Sequence, residues 1–181
     1  AHDLHACDVI VDRHFNFFRE AKRYEALLLE KGPIDIPGYH ELAVRFDRLA
    51  SHVNEDGAPV CLCHNDFFEL NFLVDEDDAY YLIDWEYAGM SDYANDFGTF
   101  CVCCQLSEKE VDKALVAYFD REPTLEERRH NLAHIALAGW CWYLWSLLKE
   151  AEGDFVGEWL YIYYNYAVLY IDKALALYGE E

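Results

Sequence analysis

Basic residues are scarce in this sequence of 181 residues, where 14 lysines and arginines are outnumbered by 35 aspartates and glutamates. The formal net charge of −21 at pH 7 repels nucleic acids and anionic membrane surfaces. We therefore expect neither of them as a partner. An acidic surface of this kind favours solubility, and it also attracts cationic small molecules.

Long apolar runs are also lacking. No stretch of about 18 apolar residues is present to span a bilayer, and the N-terminus does not combine a basic stretch with an apolar one, as secretory signals do. These two absences predict a cytoplasmic protein without a membrane as partner.

The seven cysteines do not follow the spacing of a disulfide framework. Most of them lie in two short apolar stretches, 61–63 and 101–104, which predicts reduced and buried thiols. A zinc site of Cys61, Cys63 and His64 is not expected, because structural zinc sites favour two residues between paired cysteines.

The spacing of apolar residues predicts an α+β fold that is mostly helical, with a small β-sheet. Ser107 with Glu110 and Thr124 with Glu127 form the capping-box signature that begins a helix. The predicted helices cover 9–30, 39–53, 92–105, a segment that begins at 107, 124–151 and 155–178, and the predicted strands cover 60–63, 71–74 and 80–83.

Three polar residues have the spacing of a phosphoryl-transfer site. Asp66 and Asn71 lie five positions apart on one predicted loop, and Asp84 follows the strand predicted over 80–83. A carboxylate at Asp66 can accept the proton of an attacking hydroxyl or orient it, whereas Asn71 and Asp84 offer the oxygen ligands that Mg²⁺ prefers. The sequence therefore predicts Asp66 as the catalytic residue and Asn71 and Asp84 as magnesium ligands. Taken alone, a loop aspartate more often caps its own backbone.

The residues around this motif carry a family resemblance. His64 is followed by asparagine where protein kinases have arginine, Asp84 is followed by Trp85-Glu86-Tyr87, and further matching stretches are 4–5, 64–73, 83–100 and 142–145. The sequence resembles the choline/ethanolamine kinases, and most closely the bacterial choline kinases of the lipopolysaccharide-decorating type within the aminoglycoside phosphotransferase superfamily. The resemblance implies a protein-kinase-like fold, ATP as co-substrate and choline as acceptor. It also implies that His64 and Asp96 support the loop.

The same resemblance concerns the domain organisation. Members of this family carry a strand-rich N-terminal lobe with a phosphate-covering loop and a lysine, and no segment of that kind precedes His64. Residues 1–181 are therefore expected to form the C-terminal, substrate- and metal-binding lobe, with the N-terminal ATP-binding lobe absent. We expect such a lobe to be inactive alone and to self-associate as a homo-oligomer through newly exposed apolar surface.

Aromatic residues late in the chain are candidates for binding the acceptor. A quaternary ammonium has no hydrogen-bond donors, so proteins hold it with aromatic faces and nearby carboxylates. Trp142 and Trp145 share a helix face, and the resemblance assigns them to a choline cage. The further candidates are Tyr87, Tyr161 and Glu86. Aromatic residues at helical spacing also pack cores, and the register of the last helix is open.

Two other functions are open at this point. The same chemistry could act on ethanolamine, an aminoglycoside or another small alcohol, although polycationic aminoglycosides favour a pocket rich in carboxylates rather than aromatic rings. A lobe that binds a ligand or a partner without transferring phosphate belongs to a different class. The presence of Asp66, Asn71 and Asp84 together favours a catalytic parent protein.

Overall fold

The computed structural model describes residues 1–180, which contain seven α-helices, four β-strands and two short 3-10 turns. The helices α1 to α7 span His2–His5, Phe17–Lys31, Tyr39–Asp56, Ala94–Cys103, Glu108–Phe119, Leu125–Glu152 and Trp159–Leu177. The strands β1 to β4 span Val60–Cys63, Phe72–Val74, Tyr80–Leu82 and Gly89–Asp92. The predicted fold class, α+β and mostly helical, is confirmed.

Helix α6 lies at the centre of the fold and is buried on nearly all sides along its middle turns. Its predicted capping box is confirmed: the Thr124 hydroxyl accepts from the Glu127 N–H at 3.2 Å, and the Glu127 carboxylate accepts from the Thr124 N–H at 2.8 Å. Helices α2, α4 and α7 pack around α6. Helix α7 lies so close to α6 that a Cβ on Gly139 would be 2.7 Å from the Ala167 nitrogen. This position therefore needs glycine.

The first long helix begins later than the prediction of 9–30. Helix α2 begins at Phe17, after Asn16, whose side chain accepts a hydrogen bond from the Arg19 N–H at 3.0 Å. The preceding segment runs beside β4 instead, where the Met90 N–H donates to the carbonyl of Arg13 at 2.7 Å. Pairing with a distant strand therefore overrides the helical periodicity of residues 9–16.

The strands form two separate antiparallel pairs rather than one small sheet. Strand β1 pairs with β4, and β2 pairs with β3. Strand β4 corrects the prediction of a helix over 92–105, because Asp92 ends the strand and the helix begins only at Ala94. In sequence, β1 precedes the loop that carries Asp66 and Asn71, and β2 follows it. Because each of these strands is paired, both ends of the loop are fixed.

The other predicted helices are confirmed with small changes at their ends, and Ser107 and Glu110 form both halves of the predicted cap of α5. Within residues 1–180, no helix is both long and apolar enough to cross a membrane. All seven cysteines are free. Four are buried as predicted, whereas Cys7, Cys61 and Cys104 are only half-buried.

Candidate active site

Asp66 and Asn71 are joined directly by hydrogen bonds. The Asn71 amide nitrogen donates to the main-chain oxygen of Asp66 at 2.9 Å and to its carboxylate at 3.0 Å. The 3-10 turn Glu69–Asn71 sets this geometry, because it turns the chain back before β2 begins. Since the nitrogen of Asn71 faces Asp66, its amide oxygen is left for another partner.

The Asp66 carboxylate lies in an electrostatically unfavourable position. Burial raises the pKa of this carboxyl above its usual range, and the charges of Asp84 and Glu86 act in the same direction, while the hydrogen bond from Asn71 opposes them. Groups that accept protons during catalysis commonly have pKa values shifted in this way. Asp84 and Glu86 therefore lie close enough to Asp66 for their negative charges to act on its carboxyl group.

Asp84 directly follows the segment to which His64 is bonded. The His64 ring donates through Nε2 to the carbonyl oxygen of Ile83 at 2.8 Å, and its ring packs edge-on against Trp85 at a centroid distance of 4.9 Å. Asp84 itself has φ 62° and ψ 61°, the left-handed region, which costs free energy for a residue other than glycine. His64 therefore ties the catalytic loop to the residues that orient Asp84.

Asp96, in the first turn of α4, anchors the backbone of this loop. Its fully buried carboxylate accepts hydrogen bonds from the main-chain N–H groups of His64 at 3.0 Å and Asn65 at 2.6 Å. A third bond joins it to Nε2 of His5 at 3.0 Å. The structure thus places Asp96 in contact with the loop backbone and not beside Asn71 or Asp84.

Asn65 has a structural role that was not indicated by the sequence. Its φ of 64° places it in the left-handed region, which asparagine tolerates better than most residues. Its amide nitrogen donates to the carbonyl of Tyr87 at 3.0 Å, and its amide oxygen accepts from Asn95 at 3.0 Å. The Thr99 hydroxyl donates to its main-chain oxygen at 3.2 Å. Asn65 therefore connects the catalytic loop, the Trp85–Tyr87 turn and α4.

The oxygen atoms of Asn71 and Asp84 fit magnesium by their chemistry. Both are hard donors, and within residues 1–180 the Asp84 carboxylate accepts no side-chain or main-chain hydrogen bond that would occupy it. Magnesium typically takes one or two protein ligands and completes its shell with water and phosphate oxygens. The donor set is therefore suited to Mg²⁺ in complex with a nucleotide.

The aromatic candidates separate into buried and accessible side chains. Trp142 is only 5% exposed and packs edge-on against Phe17 and Tyr87, at centroid distances of 6.0 and 5.1 Å. Trp145 is half-buried and contacts Trp142 at 6.1 Å. Burial raises the pKa of Tyr87 to about 12, and the charges of Glu86 and Asp66 add to this effect. The structure therefore brings Tyr87, Trp142 and Trp145 into one cluster, and the charge of Asp66 acts on its member Tyr87.

Tyr161 does not belong to this cluster, since its side chain is 67% exposed. Two residues correspond to about 200° of helix rotation, so Tyr163 points to the opposite side of α7. Burial raises the pKa of Tyr163, and the charges of Cys103 and Asp66 reinforce the rise. Tyr163 also stacks on Trp159 at 5.6 Å. Tyr163 is thus the tyrosine of α7 on which the charge of Asp66 acts, and the periodicity of this aromatic helix gave no signal for it.

The candidate residues differ in their exposure: Asn71 is buried and Asp66 is half-buried. Asp84 and Glu86 are exposed. Two cavities of about 690 and 330 Å³ lie elsewhere, and neither is lined by Asp66, Asn71 or Asp84.

The half-buried Cys61 lies in a small cluster with Cys63 and His5. Its thiol lies 3.7 Å from that of Cys63, and His5 rather than His64 approaches the pair. Both ring nitrogens of His5 already have partners, the Tyr118 hydroxyl at 2.8 Å and Asp96 at 3.0 Å. Both imidazole nitrogens of His5 are therefore engaged by residues outside this cluster.

A carboxylate, an asparagine and a second aspartate in this order are typical of kinase-like phosphotransferases. Residues 2–130 match the phosphotransferase enzyme family, and the chain belongs to that family. The predicted resemblance is thereby confirmed at the level of the family.

Three proteins illustrate what this chain is similar to. Protein LicA of Haemophilus influenzae is 28% identical over 188 residues, which are 98% of this chain and 66% of LicA. The structure of a choline/ethanolamine kinase family protein from Mesorhizobium loti has a TM-score of 0.77 at 26% identity, covering 97% of this chain and 59% of that one. The choline kinase LicA from Streptococcus pneumoniae has a TM-score of 0.81 at 24% identity, covering 95% and 60%, and this likeness concerns the fold alone. The chain thus spans between 59% and 66% of the length of these relatives.

Proposed function

We propose that this chain supplies the acceptor- and metal-binding part of an ATP-dependent phosphotransferase that phosphorylates choline. The observation that carries this proposal is the hydrogen-bonded pair of Asp66 and Asn71 together with the cluster of Tyr87, Trp142 and Trp145. A carboxylate suits the hydroxyl of an amino alcohol, and aromatic rings suit its quaternary ammonium.

In the proposed reaction, the choline hydroxyl donates a hydrogen bond to the Asp66 carboxylate, which orients the oxygen for attack. The bond between this oxygen and the γ-phosphorus forms as the bond from phosphorus to the oxygen bridging the β- and γ-phosphates breaks, and Asp66 accepts the proton. Bound Mg²⁺ would neutralise charge on the phosphate oxygens, with Asn71 Oδ1 and Asp84 as its protein ligands. His64 and Asp96 keep the loop in position.

The domain assignment is part of the same proposal. We assign residues 1–181 to the C-terminal lobe of a protein-kinase-like fold, because Asp84 and Glu86 are exposed and the chain spans only part of its relatives' length. The partner of this lobe would be the ATP-covering lobe. Nucleotide turnover by the lobe alone would then be negligible, since half of the nucleotide cleft is contributed elsewhere.

Ethanolamine is the second candidate acceptor, and the observation that favours it is Glu86. This carboxylate is exposed and lies in the field of Asp66, where it could accept hydrogen bonds from a primary ammonium. The aromatic cluster favours choline instead, because a trimethylated nitrogen cannot donate hydrogen bonds and relies on ring faces.

Two measurements test the proposed function. Titration of the chain with choline, ethanolamine and tetramethylammonium, followed by NMR, should give binding of choline and tetramethylammonium that shifts resonances of Tyr87 and Trp145. In the longer protein, Asp66→Asn should lower choline phosphorylation by about 10²–10⁴-fold, and Glu76→Gln, an exposed acid on the turn between β2 and β3, should leave it unchanged. Near-normal transfer by a folded Asp66→Asn protein would disprove the catalytic role.

A further inference from the structure

Three side chains converge on one point behind the loop that carries Asp66, and two of them are buried while the third is half-buried. Asp92 ends β4, and His130 and His134 lie one turn apart on the same face of α6, being 3% and 2% exposed. The Asp92 carboxylate lies 2.9 Å from His130 Nε2 and 3.5 Å from His134 Nε2. All three ligand atoms lie within 4.8 Å of one another.

The protonation of His134 follows from its neighbours. The Asn65 amide nitrogen faces the carbonyls of Tyr87 and Cys63, so its oxygen must face the amide nitrogen of Asn95. The amide oxygen of Asn95 is then the atom 2.9 Å from His134 Nδ1. Nδ1 of His134 must therefore carry a proton and donate it to this oxygen.

This assignment leaves Nε2 of His134 without a proton whenever the ring is neutral. Within residues 1–180 Nε2 makes no hydrogen bond, and the nearest carboxylate oxygen of Asp92 lies 3.5 Å from it. A buried lone pair that faces a carboxylate is costly, and a cation between the two would remove that cost.

The two distances from Asp92 are compatible with a tetrahedral transition-metal site. Two ligands bound at about 2.0–2.1 Å in tetrahedral geometry lie about 3.3 Å apart, and the distances of 2.9 and 3.5 Å from Asp92 bracket this value. The second ring nitrogen of each histidine is also oriented, that of His130 by Asp56 at 2.9 Å and that of His134 by Asn95. Metal-ligating histidines almost always have such outer-shell partners.

We propose that Asp92, His130 and His134 bind a divalent transition metal, zinc in the first instance. Imidazole with one carboxylate suits zinc better than magnesium, and water would occupy the fourth position. Access exists from both sides, because the cavity of about 690 Å³ reaches His130 and the cavity of about 330 Å³ reaches Asp92 and His134. Through His134 and Asn95, the metal would brace Asn65 in the catalytic loop.

The proposal does not depend on the choice of acceptor or on catalysis, so it is tested on the 181-residue chain itself. After chelation and removal of the chelator, calorimetric titration should show one Zn²⁺ bound per chain, and Co²⁺ should give the visible d–d absorption of a tetrahedral site. The melting temperature should rise with Zn²⁺ and should not rise with Mg²⁺ at the same concentration.

Variants identify the ligands. His134→Gln should weaken Zn²⁺ binding by more than about 100-fold, because the loss of an outer-shell partner alone costs about 10–100-fold, and Asp56→Asn should fall in that smaller range. His40→Gln, which removes an exposed histidine, should bind normally. Absence of stoichiometric binding, or unchanged affinity in His134→Gln, would overturn the proposal.

Two further results keep the test decisive. Loss of Zn²⁺ binding in Cys61→Ser with normal binding in His134→Gln would transfer the metal to the cluster of His5, Cys61 and Cys63, and would also overturn the proposal. Where His134→Gln fails to fold, the imidazole ¹⁵N resonances of the unmodified chain replace it. Zn²⁺ should then shift Nε2 of both His130 and His134, and unshifted resonances would contradict the site.

Discussion

Asn71 holds Asp66 at two points, with its amide nitrogen 2.9 Å from the main-chain oxygen and 3.0 Å from the carboxylate. This arrangement couples the two functions assigned to the loop. The nitrogen fixes the proposed base, and the oxygen of the same amide is left for the proposed metal. A change at either residue should therefore affect both proton acceptance and metal binding.

The first prediction concerns the stability of Asp66→Asn. Burial raises the pKa of Asp66, and a carboxyl whose pKa is raised by folding destabilises the fold where it is ionised. The neutral amide can still accept the hydrogen bond from Asn71. We therefore expect Asp66→Asn to stabilise the chain at pH 7 by about 1 kcal/mol, or about 2–4 °C in melting temperature.

Calorimetry in the presence of a chelator measures this difference, so that bound metal does not contribute. Glu76→Gln is the matched control, since it removes a negative charge from an exposed site of the same region. A lower melting temperature for Asp66→Asn than for the control would contradict the view that Asp66 is held at a cost to stability.

A second prediction concerns Asp96→Asn. An amide can replace only one of the two carboxylate oxygens that accept from the N–H groups of His64 and Asn65. One buried main-chain donor then loses its acceptor, which costs about 1–3 kcal/mol. Urea unfolding should show this loss, and hydrogen exchange at residues 64 and 65 should accelerate. The exposed Asp35→Asn serves as control, and unchanged exchange at both amides would exclude the anchoring role.

The helices of this fold were predictable because their signals are local. Capping boxes at Ser107 and Thr124 and the apolar spacing between them are read within a few residues. Strand β4 has four residues and pairs with segments distant in sequence, so no local pattern distinguishes it from the start of α4. The same distant pairing shortens the helix predicted over 9–30.

The candidate site was predictable where chemistry fixes the spacing, as for Asp66, Asn71 and Asp84. Its supporting residues were less accessible to sequence reasoning. Helix α7 is aromatic on several faces, so periodicity could not distinguish Tyr161 from Tyr163. The pair of His130 and His134 did carry a signal, namely the spacing of four residues that places two imidazoles on one helix face.

A third prediction concerns pH and the cap of α6. The Arg121 guanidinium holds the pKa of Glu127 below its usual range, with the Thr124 N–H adding to the effect. A depressed pKa contributes stability above the unfolded value of about 4.3, and this contribution is lost as the pH falls through the folded value. Glu127→Gln should therefore lower the melting temperature at pH 7 and make little difference at strongly acidic pH.

Because the pair is exposed and screened by solvent, the loss at pH 7 should be below about 1 kcal/mol. Thermal unfolding at a series of pH values measures it, with Glu122→Gln as an exposed control outside the cap. An equal loss at all pH values would show that packing of the side chain, and not its charge, stabilises this end of α6.

The last prediction separates a binding role from a packing role among the tryptophans. Trp142 is 5% exposed and packs on Phe17, a residue of the core, whereas Trp145 is half-buried. Replacing Trp145 by leucine keeps much of the apolar area but removes the attraction of the ring for a cation, worth about 0.5–2 kcal/mol. Choline binding should therefore weaken about 2- to 30-fold, with little change in stability. Trp142→Leu should mainly lower stability, because a large core side chain is shortened.

Ethanolamine provides the internal comparison, since its ammonium can donate hydrogen bonds to carboxylates such as Glu86 and should lose less affinity in Trp145→Leu. Tyr161 and Tyr163 of α7 form a matched pair: Tyr163→Leu should weaken choline binding because the charge of Asp66 acts on that side chain, and the exposed Tyr161→Leu should not. NMR titration of all four variants, with melting curves, measures both effects. Equal losses for choline and ethanolamine in Trp145→Leu would show that this ring packs rather than binds, and a larger effect of Tyr161→Leu than of Tyr163→Leu would place the acceptor on the opposite face of α7.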